Sequence, residues 1–462
     1  MSASSFFDRL NDWARNSVTL KLLTVGILVL VLLIPASLVQ SLIRERENLR
    51  DEAVEEVSSK WGGPQTVAGP VLSVPYEITL PNGDGPPLRE QGYAHFLPDT
   101  LSMEGVLFPQ ERYRGIYVVV LYNAQLEIRG SFKGLNAEGL PVPAESLQWE
   151  DALFTIGISD MKGVESSITA NLSGQELQLG PGTITNECFS SGASAPLALP
   201  QGAASQFTFQ YQLDLNGSSD IFFAPFGKTT TVHLSSTWPA PSFEGTFLPD
   251  ERAVSDIGFE AAWQVLQVNR NYPQQGVGSY ILNSLPNSNE YEPDPIRRSA
   301  STFGLRLLLP IDEYQKTYRS ARYAAYFILL TFLAFFFMEI LNNKRLHPIQ
   351  YLLVGAAVVL FYILLLSLSE HLGFQRAYAL SCSAILFLTT AYSYSILHNL
   401  KLTALVFGVL STLYAFFYSI LQLQDYALLM GSIGLLIILA VIMYATRHID
   451  WYGMKRDDVE ND

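Results

Sequence analysis

Glu370, His371 and Asp425 are the residues whose types and neighbourhood most invite chemistry. They fall at short polar breaks in a long apolar region, where Glu339 and Arg376 are also conspicuous. Ionisable groups at membrane depth are costly and often mark ion pathways. A carboxylate, an imidazole and a second carboxylate brought together can relay protons. Glu370, His371 and Asp425 are therefore the candidate functional polar cluster. The plainer account is that they stand at helix ends in the headgroup layer and reach water. Glu339, within a turn or two of Lys344 and Arg345, is expected to pair with them.

Other signatures fail on inspection. Gly227-Lys228-Thr229 ends like a phosphate-binding loop, but Phe222 stands where its first glycine belongs. Ser159, in Gly157-Ile158-Ser159-Asp160-Met161, lacks the second glycine of a nucleophile elbow. Ser369-Glu370-His371 resembles part of an inverted zinc motif, but Ser367 occupies the position of the needed histidine. The six histidines (95, 233, 347, 371, 398 and 448) are scattered, and no Cys/His set has zinc spacing. The expectation is a protein with no catalytic residues, no metal and no cofactor.

The elements that would position the polar cluster are apolar spans. Only 16% of the 462 residues are charged and 49% are hydrophobic, against about 25% charged in soluble proteins. From Val18 to Ile43 only Lys21 is charged. A second apolar region runs from about Tyr323 to Thr446. A membrane-crossing helix needs about 20 apolar residues, which gives five spans here: 321–341, 348–368, 376–397, 402–421 and 425–446. The N-terminal run is longer than a signal-peptide core, and no A-x-A-like site follows Pro35, so it reads as an uncleaved anchor. Arg9, Arg15 and Lys21 hold the N-terminus in the cytoplasm by the positive-inside rule. Lys344, Arg345, Lys401, Arg447, Lys455 and Arg456 then fall on the same side.

The fold class expected is mixed: six transmembrane helices, with a large, mostly-β periplasmic domain inserted after the first. Its parts are a cytoplasmic N-terminus (1–17), an anchor helix (18–43), the β-domain (44–318), a five-helix bundle (319–446) and a cytoplasmic tail (447–462). The β-domain carries 17 Lys+Arg and 33 Asp+Glu, a net of −16. That acidity excludes nucleic acid as a partner. It keeps the domain soluble and repels anionic lipid, and an acidic partner-binding face stays open.

Phe207–Leu215 alternates apolar and polar residues as a half-buried strand does. Thr229–Trp238 and Tyr113–Phe132 are rich in strand formers, and Asn216-Gly217 reads as a turn between strands. Two packed sheets are expected, and a second lobe is open, with a weak joint near 185–205. Arg44–Lys60 reads as a charged helix continuing the anchor, ended by Trp61-Gly62-Gly63-Pro64. Cys188 and Cys382 lie too far apart in environment to pair, and Cys188 is expected buried.

Several stretches resemble the CreD family of Gram-negative inner-membrane proteins. In the C-terminal part these are His347–Gly355, Leu364–His371, Leu423–Ser432 and Arg447–Tyr452. In the outer domain they are Gly69–Pro75, Ile158–Gly163, Trp238–Phe243 and Asn269–Gln274. The resemblance covers nearly the whole chain. It implies a protein that supports cell-envelope integrity, with a link to colicin tolerance and to control by a CreBC-type two-component system. It carries over no catalytic residues.

The resulting expectation is a non-enzymatic, multi-pass inner-membrane protein whose β-domain binds an envelope protein or lipid partner. The rival is a transporter or lipid-handling protein using the C-terminal bundle, with the polar cluster near its outer mouth. No inverted repeat or pair of Gly/Pro-broken spans supports that rival. A membrane-embedded hydrolase using Glu370 and His371 would lack a nucleophile or metal set.

Overall fold

The computed structural model describes residues 18–81, 86–200, 205–281, 301–309, 313–342, 346–422 and 426–447. The chain divides into two compact units, one of residues 1–49 with 311–462 and one of Arg50–Pro310. A single helix, α1 (Val18–Trp61, 44 residues), runs from the first apolar stretch into the second unit. Its first part is apolar and its last part charged.

The Arg50–Pro310 unit is a sandwich of two sheets. The nine-stranded sheet is centred on the long strand Gln65–Leu80, which pairs antiparallel with Leu88–Phe96 and Leu153–Ile158 and parallel with Asp220–Phe223. The eight-stranded sheet is built on the hairpin Thr100–Arg114 and Tyr117–Phe132, flanked by Phe207–Ser218 and Thr229–Ser236. Phe207–Ser218 buries alternate side chains along its first half, as the period-two pattern requires. The inner faces share one apolar core. Phe154 of one sheet meets Phe209 of the other at 5.9 Å, and Trp263 meets Phe303 at 5.8 Å.

Three local readings change. Asn216-Gly217 is not a turn: the strand runs through it, and the chain turns at Ser219, whose φ is +62°. Gly217 is there because the Tyr122 ring lies where a Cβ would project. Tyr113–Phe132 is not one strand, because the hairpin turns at Gly115 with φ +62°. A second lobe is absent among the described residues: Gly192–Pro196, in the suspected joint, pairs with Leu153–Ile158, and Cys188 and Phe189 are buried in the common core.

The first unit is helical. After α1 come α2 (Glu313–Arg322), α3 (Ala324–Leu341), α4 (Pro348–Leu372), α5 (Phe374–Leu397), α6 (Leu400–Gln422) and α7 (Ala427–Thr446). Among the described residues four helices are long and apolar enough to cross a membrane, and a fifth follows if α2 and α3 count as one span bent by 47°. The span expected over 321–341 is therefore broken at Tyr323. The apolar part of α7, Leu428–Tyr444, is shorter than the rest. Helix α4 starts where His347 accepts from the Ile349 amide, Gln350 returns a bond to the His347 amide, and Pro348 takes the first turn. Gly373, at φ +78°, turns α4 into α5.

Candidate functional site

Glu370 lies in the last turn of α4, and its side chain is 10% exposed. Its carboxylate is 4.0 Å from Arg46 Nε on α1. His371, the next residue, is exposed. Asp425 lies outside the described residues, so the expected cluster is seen as the adjacent pair Glu370 and His371, with Arg46 as a partner. Three further ties lie at the same helix ends. Gln40 donates to the Ala321 carbonyl at 3.1 Å, Arg44 bonds and stacks on Tyr318, and Thr317 and Ser369 hydroxyls meet at 3.4 Å.

Glu339 is almost fully buried and finds a partner that the sequence did not suggest. Lys21 Nζ lies 2.8 Å from it, the Tyr351 hydroxyl donates to it at 2.8 Å, and the Leu346 amide donates at 3.1 Å. Lys344 and Arg345, the expected partners, lie outside the described residues. A buried carboxylate is stable only when paired and hydrogen-bonded, and packing α1 into the bundle brings a lysine from 318 positions earlier.

In the β-domain the structure assembles a set that sequence reasoning missed. Ser73 and His95 sit directly opposite each other on neighbouring strands. Ser73 Oγ meets His95 Nδ1 at 2.8 Å, and His95 Nε2 meets Glu187 Oε2 at 2.8 Å. His95 is fully buried, and the rings of Tyr93 and Tyr280 lie on either side of it, 6.4 and 6.3 Å away. The bond to His95 holds the Glu187 carboxyl below its ordinary range. Burial, then the Glu187 charge, pushes the adjacent Cys188 thiol up.

Ser, His and Glu are the residue types of a charge-relay set. Here, however, Ser73 is buried, only 2% exposed, which closes it to a substrate. What the trio does in this arrangement is fasten the Glu187 loop to the sheet. No spacing along the chain records the strand register that opposes Ser73 to His95.

Two family-like motifs act as straps. Asp160 accepts from the amides of Gly63 and Lys162, at 2.9 and 3.0 Å, while Ser159 Oγ donates to the Pro64 carbonyl. Gln65 donates to the Asn216 and Asp160 carbonyls. The stretch from the end of α1 into the first strand is thereby tied to the Ile158–Gly163 motif and to the strand Phe207–Ser218. Gln274 ties Leu97 and Pro98 to the second motif, in which Arg270 stacks on Tyr272 at 4.7 Å. Burial pushes the Arg270 guanidinium down from its usual range. Among the described residues no three His, Cys, Asp or Glu side chains are placed to hold a metal.

Fold and apolar helices together define a membrane protein that carries a large β-sandwich. A family model described as Inner membrane protein CreD matches residues 17–452. The chain is 32% identical over 432 residues to Inner membrane protein CreD of Escherichia coli (strain K12), covering 92% of each. The chain belongs to the CreD family.

Proposed function

We propose that this protein is a multi-pass inner-membrane protein that supports cell-envelope integrity, its β-sandwich binding an envelope partner. In this reading six helical segments cross the bilayer, with the α2–α3 pair as one and α7 as the last. Residues 44–318 are periplasmic and both termini cytoplasmic, as the Lys and Arg pattern favours. The observation that carries the reading is the continuity of α1, which passes from an apolar stretch into the sandwich without a linker. A sandwich held this way is a surface presented from the membrane, not a diffusing domain.

The reading is non-enzymatic. Its support is the burial of Ser73 and His95, which closes the Ser73–His95–Glu187 set to a substrate. The test is photocrosslinking in cells from exposed sites on the eight-stranded sheet, such as Glu104, Gln212 and Gln264, with envelope permeability scored in parallel. Recovery of one envelope component from neighbouring sites, and leakage in cells lacking the protein, are the expected results. An intact barrier without the protein, and no crosslinked component, would end the proposal.

A further inference from the structure

The helix ends around α2 carry four cations for which no carboxylate partner is found among the described residues. Lys316, Arg319 and Arg322 recur at every third position, so they share one side of α2. Thr317, Ser320 and Ala321 form its buried side. Arg376 is exposed in the first turn of α5. None of these four cations has a carboxylate within salt-bridge distance among the described residues. The neighbouring cations differ, since Arg46 faces Glu370 and Arg44 engages Tyr318.

Depth follows from the packing. Helix α3 has 18 residues, about 27 Å at about 1.5 Å per residue, close to the hydrocarbon thickness of about 30 Å. In this reading α3 fills the hydrocarbon part of the α2–α3 crossing, and α2, bent away from it by 47°, is the part of that crossing placed at headgroup level. The Thr317–Ser369 contact sets it beside the last turn of α4, next to the Gly373 turn that leads to Arg376. The four cations thus form a rim at one end of the bundle.

We propose that this rim binds the phosphates of anionic phospholipid headgroups. Guanidinium groups match phosphate oxygens in geometry and charge, and a cation at headgroup level gains by meeting an anionic lipid. The inference rests on the reading that the bundle spans the bilayer.

The full chain, purified in neutral detergent, is offered phosphatidylglycerol, phosphatidylcholine or inorganic phosphate. Bound lipid is counted by native mass spectrometry. Phosphatidylglycerol should remain bound to the unaltered chain, and Lys316→Gln/Arg319→Gln/Arg322→Gln should weaken its retention at least tenfold. Arg376→Gln alone should weaken it several-fold, and Lys162→Gln in the β-domain should leave it unchanged. If the triple variant does not fold, Arg319→Gln and Arg376→Gln separately carry the test. Equal retention of phosphatidylcholine, undiminished retention in the variants, or displacement by equimolar inorganic phosphate would overturn the proposal. Alkaline extraction separates the two failures: a chain released from membranes refutes the spanning reading, whereas a chain that stays without lipid selectivity refutes the rim alone.

Discussion

The sandwich and the bundle bury polar groups in different ways. In the sandwich, buried side chains reach across the chain: Gln65 to Asn216, Ser73 to His95, and Tyr122 to the Asp220 carbonyl. In the bundle, most hydroxyls bond their own helix one turn back, as Thr389 does to Ile385, Ser393 to Thr389 and Thr403 to Asn399. Its cross-helix polar ties concentrate at two ends. Lys21, Glu339 and Tyr351 make one, and Arg46–Glu370 with Gln40–Ala321 makes the other. Near the start of α5 the Tyr378 hydroxyl also donates across to the Tyr414 carbonyl. The physical reason is the solvent. A helix satisfies its own backbone and can sit in hydrocarbon, whereas a sheet must satisfy its backbone across strands. Polar pairing therefore specifies the sandwich throughout and the bundle mainly at its rims.

The largest effect expected from this difference is in core truncation. Phe209→Ala, which removes a ring packed on Phe132 and Phe154, should cost about 3–5 kcal/mol in denaturant unfolding of the full chain. Phe361→Ala, among Phe327, Tyr378 and Tyr414, should cost less than half of that, because lipid offers helices no hydrophobic penalty for parting. Equal losses would dissolve the comparison.

Next comes the buried end of the bundle. Lys21→Met leaves Glu339 without its cation and should cost about 3 kcal/mol in thermal unfolding in detergent. Adding Glu339→Gln should restore most of it, since the uncompensated charge goes too. A double variant no better than the single one would show that the pair acts through shape rather than charge.

In the sandwich, His95→Ala should cost about 1.5–3 kcal/mol, the range for hydrogen bonds to charged groups. Here pH sharpens the test. The Glu187 carboxyl is held below its ordinary value, so its ionised form favours the folded state. That contribution is complete above about pH 4.3, the unfolded value, and is lost as pH falls through the folded value. Protection of the Glu187 loop against hydrogen exchange, taken relative to the intrinsic rate at each pH, should therefore fall on acidification in the unaltered protein, and less so in His95→Ala. The smallest effect is expected at the surface: Glu56→Gln breaks contacts with Lys60 and Arg114 and should leave unfolding unchanged within error.

Local pattern by itself determined a great deal. The apolar run through Val18–Ile43, the alternation through Phe207–Leu215 and the Trp61-Gly62-Gly63-Pro64 stop are all visible in the sequence and all structural facts. They are legible because solvent preference and backbone propensity act on neighbouring residues. The same logic missed the turn at Ser219, since a close approach of the Tyr122 ring, not turn propensity, placed Gly217. Only the tertiary structure decided that His95 meets Ser73 and Glu187, and that Glu339 meets Lys21. Those partners are 22, 92 and 318 residues apart. Their meeting depends on strand register and helix packing, which no spacing along the chain records.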